Sequence, residues 1–286
     1  MAEIATHCPC CSSADLARSP AVLMPFVASR AFGWTPVEIT PEWGLRSLHT
    51  GWAYPLCNSM QCRACGFLFL DMRFSEAEMG RLYGGYRGEA YARQREAFEP
   101  GYAEVNAAML SLVYDTSQAE GFLAGHVKAS PRILDWGGDR GDNTPFSDAA
   151  SRFDIYDISD QPVVEGARRV SREDLEGARY DLVVLSHVLE HLPDPETVVR
   201  PAAATLDAGG VLYVEVPYEA LIASAPRARD LAPRKRYWHE HVNFYTEDAM
   251  RALLERCGLE VLALETRAFD SLANLSQVMS AVCRRI

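Results

Sequence analysis

Residues 131–141 read Pro-Arg-Ile-Leu-Asp-Trp-Gly-Gly-Asp-Arg-Gly, a short apolar run followed by an acid and a glycine-rich turn. In parallel α/β proteins, a strand that leads into such a turn brings bare backbone against a nucleotide-like ligand. Gly137, Gly138 and Gly141 suit this turn because they can adopt backbone angles and close approaches that a Cβ would prevent. The stretch therefore predicts the first strand of a parallel sheet, with a ligand site at its end.

The chain after this turn alternates apolar runs with segments that we expect to be helices. Further strands are predicted at 153–158, 182–185 and 211–216, with a weak strand near Val170. Two final runs, at 258–266 and 276–284, predict an antiparallel pair that closes the sheet. The pattern predicts an α/β fold with a doubly wound, mostly parallel sheet.

Composition and charge limit the partners of the protein. The 286 residues carry a net charge of −11, which argues against binding of nucleic acid through its phosphates. No apolar run reaches the roughly 20 residues that cross a bilayer. We therefore expect a cytoplasmic protein with neither a nucleic-acid nor a membrane partner, and the sequence leaves its oligomeric state open.

Six of the eight cysteines fall within the first 65 residues. Cys8 with Cys11, and Cys62 with Cys65, form two Cys-x-x-Cys pairs, and each pair can supply two corners of a zinc tetrahedron. Cys10 and Cys57 are substitute ligands, and unrelated thiol pairs or a redox dithiol are the alternatives to zinc. We predict a structural Zn²⁺ in a small domain over residues 1–74, with irregular or hairpin structure over 12–56.

A helical linker is predicted over residues 75–128. Ser75 begins a capped helix, and a second helix is expected over about 101–123, where Val105, Met109, Leu112 and Val113 recur at helical spacing. The segment between these helices is rich in glycine and tyrosine. Its Tyr86, Arg87 and Tyr91 either close over a ligand as a lid or pack as ordinary helix residues.

Three motifs in order resemble the class I S-adenosylmethionine-dependent methyltransferases. They are Leu-Asp-Trp-Gly-Gly-Asp-Arg-Gly from residue 134, Tyr-Asp-Leu-Val-Val-Leu-Ser-His-Val-Leu-Glu-His-Leu-Pro-Asp-Pro from residue 180, and Trp-His-Glu-His-Val-Asn-Phe-Tyr-Thr from residue 238. The cysteine pairs and the tyrosine-rich segment resemble the zinc-binding N-terminal region of sugar and natural-product methyltransferases of this class. The resemblance implies a seven-stranded, Rossmann-like domain over residues 129–286 with a reversed last strand.

The resemblance implies a set of cofactor-binding residues for S-adenosylmethionine. The turn would face the amino-acid and ribose parts of the cofactor, and Asp157, with Asp154 as its rival, would accept the ribose hydroxyls. Asp174 and Leu175 correspond to the adenine contact, although Asp174 is also a candidate helix cap. The full set is Asp135, Gly137, Gly138, Gly141, Asp157, Ile158, Asp174, Leu175, Ser186, His187 and His191.

Asp139 occupies the position where the family usually has its middle glycine, so the approach of the cofactor is altered there. His187 and His191 are four residues apart and would share a helix face. A second metal site is conceivable on that face, but a sulfonium donor gives a metal no role, and Glu190 reads equally well as a structural hydrogen-bond partner.

The segment Tyr237-Trp-His-Glu-His241 is the predicted chemical centre. Methyl transfer to a hydroxyl requires alignment and removal of a proton, for which histidine titrates in the suitable range. In related sugar methyltransferases the Glu-His of this motif lines the acceptor site. We therefore assign His241 as the general base and Glu240 as its orienting partner or a substrate hydrogen-bond acceptor. The alternative is that both residues cap the following helix.

Five basic residues precede this segment in an otherwise acidic chain: Arg227, Arg229, Arg234, Lys235 and Arg236. They form either a solvated loop or a clamp for an anionic acceptor such as a nucleotide-linked sugar. The predicted protein is a methyltransferase that acts on a hydroxyl or carbon of a sugar, nucleotide-linked sugar or natural-product intermediate. Its rivals are a non-catalytic zinc-ribbon adaptor with a degenerate methyltransferase domain and an NAD-dependent sugar-modifying oxidoreductase.

Overall fold

The computed structural model describes residues 2–43, 51–111, 115–159, 161–270 and 275–286. Its strands are β1 (Glu3–Ile4), β2 (Leu16–Leu23), β3 (Val37–Ile39), β4 (Gly51–Ala53), β5 (Leu56–Cys62), β6 (Leu68–Leu70), β7 (Met72–Arg73), β8 (Arg132–Trp136), β9 (Arg152–Tyr156), β10 (Arg168–Arg169), β11 (Tyr180–Ser186), β12 (Leu206–Pro217), β13 (Tyr237–Trp238), β14 (Asn243–Phe244), β15 (Leu259–Asp270) and β16 (Leu275–Arg285). Its helices are α1 (Pro25–Phe32), α2 (Glu76–Tyr83), α3 (Glu89–Glu96), α4 (Tyr102–Leu110), α5 (Ser117–Leu123), α6 (Glu196–Ala204), α7 (Ala220–Ala223) and α8 (Glu247–Arg256). None of these described helices is long and apolar enough to cross a bilayer.

The main sheet has seven strands in the described part of the chain, in the order β10-β9-β8-β11-β12-β16-β15. Strands β10, β9, β8, β11 and β12 pair in parallel, and β16 lies antiparallel between β12 and β15. The prediction of a mostly parallel sheet closed by an antiparallel pair is confirmed. The weak third strand is the two-residue β10, next to Val170.

Strand β11 lies inside the sheet and is buried on both faces. Val183 and Leu185 pack into the larger core on one face, and Leu182 and Val184 pack into a smaller core on the other. This division follows from the two-residue repeat of a strand. It explains why the sequence of β11 is apolar throughout rather than alternating.

The helices expected after the first strands of the sheet are not found among the described residues. Residues 137–151, after β8, form turns and the short 3₁₀ helix Ser147–Ala149, and a 3₁₀ helix at Glu173–Leu175 precedes β11. The segment after β8 holds three glycines and a proline, which all disfavour an α-helix. Helix α5, which precedes β8, covers this face instead through Leu123 and Phe122.

A second sheet combines strands from distant parts of the chain. Its order is β13-β2-β5-β6-β14, with Trp238 opposite Leu23 and Phe244 opposite Leu68. Residues 237–244, which the sequence places in the domain 129–286, therefore complete the sheet of the predicted zinc domain. One core cluster contains both Phe67 and Leu254, so the two parts share their packing.

The remaining expectations for the first half of the chain are met in part. The hairpin alternative for the 12–56 region is met in part, since β3 pairs antiparallel with β4. The region also contains β2 and the unpredicted helix α1, with Pro25 in the first turn where proline is tolerated. Helix α2 begins after Ser75, whose N–H donates to the Glu78 carboxylate at 2.8 Å. The helix expected at 101–123 is two helices, α4 and α5, and Leu112 and Val113 lie outside the described residues.

Candidate active site

The predicted site residues follow the carboxyl ends of neighbouring parallel strands, the edge of such a sheet where ligands bind. Gly137 follows β8, Asp157 follows β9 and His187 follows β11. The Gly137 N–H donates to the carbonyl of Tyr156 at 2.7 Å, and the His187 N–H donates to that of Glu215 at 2.9 Å. These bonds continue the sheet one residue past the strands and fix the floor of the site.

The glycine turn after β8 is packed so closely that Gly137, Gly138 and Gly141 have no room for a side chain. Gly137 has φ +87°, and a Cβ there would lie 2.5 Å from Val188 Cγ2. A Cβ on Gly138 would overlap the carboxylate of Asp135. That carboxylate is buried and accepts the Thr144 hydroxyl at 2.5 Å, and burial raises the pKa of Asp135 to about 7. The turn therefore presents bare backbone above a buried acid.

Asp139 fits the position where a glycine was expected because its neighbours hold it in place. Its φ is +51°, a left-handed conformation that Asp tolerates better than most residues. Its N–H donates to Asp157 Oδ2 at 2.8 Å, and its Oδ1 accepts the Ser159 hydroxyl at 2.6 Å. Arg169 also donates to the Asp139 carbonyl at 2.9 Å. The side chain is thus tied to the residues that follow β9.

The two candidate ribose acids have different surroundings. Asp154 is 1% exposed and is bound by Arg152, Arg168 and the hydroxyl of Tyr180. Asp157 is half-buried at the open edge and accepts two backbone N–H groups, which leaves lone pairs for a ligand. Its role toward a ribose stays a prediction.

The remaining cofactor candidates lie in contrasting environments. Ile158 is 72% exposed and Leu175 is buried. Asp174 accepts the N–H and hydroxyl of Ser171 at 2.8 and 2.9 Å, the cap geometry named above as its alternative. The Ser186 hydroxyl donates to Glu215 at 3.2 Å.

Residues 187–191 form a turn, and α6 begins only at Glu196. The expectation that His187 and His191 share a helix face is therefore wrong. Pro193 and Pro195 delay the helix, because the residue before a proline avoids helical angles. His187 itself has φ +55°.

Two segments distant in sequence are held together by Asn243. Its side-chain amide donates to the carbonyls of Leu189 and Leu192 at 2.8 and 2.7 Å. The Val242 N–H donates to the Glu190 carbonyl at 2.8 Å. As a result the turn 187–191 and the loop 239–242 meet, and the ring centres of His191 and His241 are 4.8 Å apart.

The carboxylate that contacts His241 is that of Glu219, with 2.9 Å between Nδ1 and Oε1. Burial acts to lower the pKa of His241, but the hydrogen bond to Glu219 and the charge of Glu190 outweigh it and raise that pKa above its ordinary value. The sequence reasoning missed Glu219. Its only signal is its position two residues after the end of β12.

Glu240, expected to orient His241, pairs with another residue. Its Oε1 lies 2.8 Å from the guanidinium of Arg95, which α3 supplies. Burial opposes ionisation, yet His239 and Arg95 hold the pKa of Glu240 well below its usual range. The assignment of Glu240 as the orienting residue is therefore wrong in this geometry, whereas the acceptor-binding alternative stays a prediction.

Tyrosines from the linker line the same site. The Tyr83 hydroxyl lies 2.8 Å from His191 Nδ1, and the ring of Tyr86 lies 5.6 Å from that of Tyr83. Tyr91 is 2% exposed and packs edge-on against Phe26 at 5.2 Å. Tyr91 is therefore an ordinary packing residue, whereas Tyr83 contacts His191 directly and Tyr86 packs against Tyr83.

The four predicted zinc ligands Cys8, Cys11, Cys62 and Cys65 converge, with their Sγ atoms within 4.8 Å of one another. The Cys8–Cys65 and Cys11–Cys62 distances are 3.6 and 3.5 Å. Zinc–sulfur bonds of about 2.3 Å in a tetrahedron place sulfurs about 3.8 Å apart, so the group fits Zn²⁺. The substitute ligands Cys10 and Cys57 lie outside this group.

The basic run 227–236 does not converge on one point. Arg229 donates to the carbonyl of Arg63 at 3.2 Å, and Lys235 Nζ lies 4.3 Å from the ring centre of Phe244. Both therefore hold the second sheet in place. The exposed members, which face solvent, are Arg227, Arg234 and Arg236.

Comparison with known proteins identifies a family whose model matches this chain. Residues 114–264, just over half of the chain, match the family model described as a methyltransferase domain. The Ubiquinone biosynthesis O-methyltransferase of Marinobacter nauticus is 30% identical over 112 residues, which cover 37% of this chain and 46% of that protein. The protein of the same name from Bordetella avium is 29% identical over 106 residues, 35% of this chain and 43% of that protein. The chain thus spans less than half the length of the curated relatives it matches.

Among solved structures, the chain is similar to the Burkholderia thailandensis 1,6-didemethyltoxoflavin-N1-methyltransferase with bound 1,6-didemethyltoxoflavin and S-adenosylhomocysteine. The identity is 21% and the TM-score 0.47, with 69% of this chain and 90% of that chain covered. A glycopeptide N-methyltransferase complexed with sinefungin is 17% identical with a TM-score of 0.45, covering 60% of this chain and 94% of that chain.

Proposed function

Since the chain belongs to the methyltransferase-domain family that residues 114–264 match, we propose that it transfers a methyl group from S-adenosylmethionine to a small-molecule acceptor. The bound cofactor supplies an electrophilic methyl group on a sulfonium sulfur. The glycine turn over Asp135 fits such a ligand, because Gly137 and Gly138 are partly exposed and carry no side chain at the carboxyl end of β8. Asp157 would hold the ribose at the same edge.

The observation that carries the catalytic proposal is the 2.9 Å contact between His241 Nδ1 and Glu219. A carboxylate on Nδ1 fixes the imidazole so that Nε2 carries the lone pair. Nε2 would take the proton from an acceptor hydroxyl while the hydroxyl oxygen bonds to the methyl carbon and that carbon leaves the sulfonium sulfur. His241 is therefore the general base of the proposal and Glu219 its orienting partner, while Glu240 and Arg95 would line the acceptor site.

The acceptor class is inferred from two weaker indications. The curated relatives are named as O-methyltransferases, which favours an oxygen over a carbon acceptor. Arg227, Arg234 and Arg236 are exposed beside the site segment and suit an anionic acceptor such as a nucleotide-linked sugar. A hydroxylated sugar or natural-product intermediate is the class we propose.

We also propose that Cys8, Cys11, Cys62 and Cys65 hold a structural zinc ion. Thiolates at these separations match a closed tetrahedral site, which lacks the open position of a catalytic one. Cysteines that bind a metal rather than form disulfides are typical of a reducing compartment, which favours the cytoplasm.

Calorimetry with S-adenosylmethionine and transfer of its labelled methyl group to a panel of hydroxylated acceptors test the proposal. The H241N variant should lose about 100- to 10,000-fold in kcat, the usual contribution of a general base, with unchanged cofactor affinity. The exposed His126 supplies the matched control H126N, which should retain full activity. Full turnover in H241N would contradict the assignment of His241 as the general base. Failure of the wild type to bind S-adenosylmethionine would favour a non-catalytic adaptor.

A further inference from the structure

Glu190 is a buried acid whose carboxylate oxygens both lack a hydrogen-bond partner among the described residues. It is 1% exposed. Two imidazole nitrogens lie close to its Oε1, His187 Nδ1 at 3.4 Å and His191 Nε2 at 3.8 Å. A carboxylate removed from water needs a counter-charge or a metal ion to offset the loss of hydration. Glu190 therefore suits a cation, because both of its oxygens lack a hydrogen-bond partner in the described part of the chain and a positive charge would offset its own.

Two imidazoles stand beside this carboxylate. One nitrogen of His191, one nitrogen of His241 and one oxygen of Glu190 all lie within 4.8 Å of one another. Two histidines and one carboxylate form a ligand set that suits zinc and neighbouring transition metals. The sequence suggested His187 and His191 as a conceivable metal pair. The fold instead brings together Glu190, His191 and His241.

Both imidazoles are oriented in the way that metal-binding histidines usually are. His241 Nδ1 is held by Glu219, and His191 Nδ1 lies 3.1 Å from the Glu240 carbonyl and 2.8 Å from the Tyr83 hydroxyl. A carbonyl oxygen can only accept, so Nδ1 of His191 carries the proton and Nε2 the lone pair. Such outer hydrogen bonds fix the tautomer and orient the ligand nitrogen.

We propose that Glu190, His191 and His241 bind a divalent transition-metal ion of the zinc class, separate from the four-cysteine site, and that this ion switches off methyl transfer. The switching half rests on the proposed function, because the ion would occupy the His241 lone pair that the general base needs. The ion would compete with the acceptor's proton for the His241 lone pair. No bond of the acceptor or of the methyl donor would form or break in this step.

The test is calorimetric titration of the full-length protein, isolated with its four-cysteine site loaded, with Zn²⁺. The wild type should bind one further ion per chain, and the H191N and E190Q variants should lose that binding. E190Q keeps the size of the side chain, so it guards against a simple folding defect, and circular dichroism checks both variants. E219Q should bind Zn²⁺ about 10- to 100-fold more weakly, the usual effect of losing an outer hydrogen bond. H126N is the matched control.

Activity gives the second measurement. Zn²⁺ should inhibit the wild type, a chelator should restore the rate, and H191N should resist inhibition relative to its own metal-free rate. The metal site is overturned if the wild type binds no further ion, or if H191N and E190Q bind it as the wild type does. Unchanged or increased turnover with bound Zn²⁺ overturns the switch. A protein that binds Zn²⁺ here but methylates nothing would refute the proposed function and leave the metal site standing.

Discussion

Gly138 is the residue whose replacement should most directly damage the glycine turn after β8. A methyl group there would overlap the buried carboxylate of Asp135, whereas Gly121 in α5 has no atom within 4 Å of the position of its Cβ. We expect G138A to lower the free energy of unfolding by about 1–3 kcal/mol, the cost of overpacking. It should also weaken binding of S-adenosylmethionine. Urea unfolding and calorimetry measure both effects, and equal behaviour of G138A and the control G121A would contradict this role of the glycine turn.

Single residues were predictable where the interaction is local in sequence. The glycines at 137, 138 and 141 and the acid at 135 belong to one turn, so their residue types reveal the close approach directly. The partner of His241 was not predictable, because Glu219 reaches it only after β12 and the loop 239–242 are folded together. Adjacency in sequence favoured Glu240, but that side chain pairs with Arg95 of α3.

Among the elements, the loop 239–242 and the turn 187–191 depend on Asn243 for their alignment. The N243A variant removes two hydrogen bonds, to the carbonyls of Leu189 and Leu192, and each is worth about 0.5–1.5 kcal/mol. Both carbonyls keep a second donor, Tyr245 on Leu189 and Arg73 on Leu192. We expect lower stability and a lower kcat with nearly unchanged cofactor affinity. The exposed Asn143 provides the control N143A. A variant that loses stability but keeps full kcat would show that the alignment is not needed for turnover.

A second element-scale prediction concerns the pairing of β8 with β11. The Arg132 guanidinium donates to both Asp181 oxygens at 2.9 Å and holds the pKa of Asp181 well below its usual range. The folded protein thus binds this proton more weakly than the unfolded chain, so the stabilisation is present above the ordinary pKa near 3.9 and is lost as the pH falls. D181N should destabilise by roughly 1–3 kcal/mol at about pH 7 and by less at about pH 3, where the unfolded chain already binds the proton but the folded protein does not.

Urea unfolding at both pH values measures this difference, and the exposed Asp148 supplies the control D148N. A loss of stability in D181N that is equal at both pH values would assign its effect to packing rather than to charge.

The elements themselves were predictable to different degrees. Long strands such as β11 and β12 are predicted by their apolar runs, and the antiparallel β16 is predicted by the two final strand-like stretches. The two-residue strands β13 and β14 carry no such pattern, because their pairing is decided by β2 and β6 far away in sequence. The helices predicted after β8 and β9 are absent from the described residues. The prediction rests on a regular alternation of strands and helices, which glycines and a proline prevent here.

At the scale of the whole molecule, the four-cysteine site and the candidate active site belong to one folded unit. Strand β14 joins the second sheet two residues after His241, and the Thr246 hydroxyl donates to the Cys65 carbonyl at 2.6 Å. The same Thr246 caps α8 by accepting the Ala249 N–H at 3.1 Å. A change at the cysteines can therefore reach the loop 239–242 through the backbone and this cap.

The C65S variant tests this connection. Loss of one thiolate should remove the structural zinc, disorder the strand pairing around β14 and lower methyl transfer strongly, although Cys62 in β5 and the glycine turn after β8 belong to different sheets. Cofactor affinity should fall far less than turnover, because Asp135 lies in β8 and Asp157 follows β9, and both strands belong to the other sheet. C57S, a buried thiol of the same sheet outside the ligand group, should keep its zinc and its activity. Metal analysis, calorimetry and rate measurement decide together: a zinc-free C65S with the wild-type rate would mean that the two sites work independently despite their shared core.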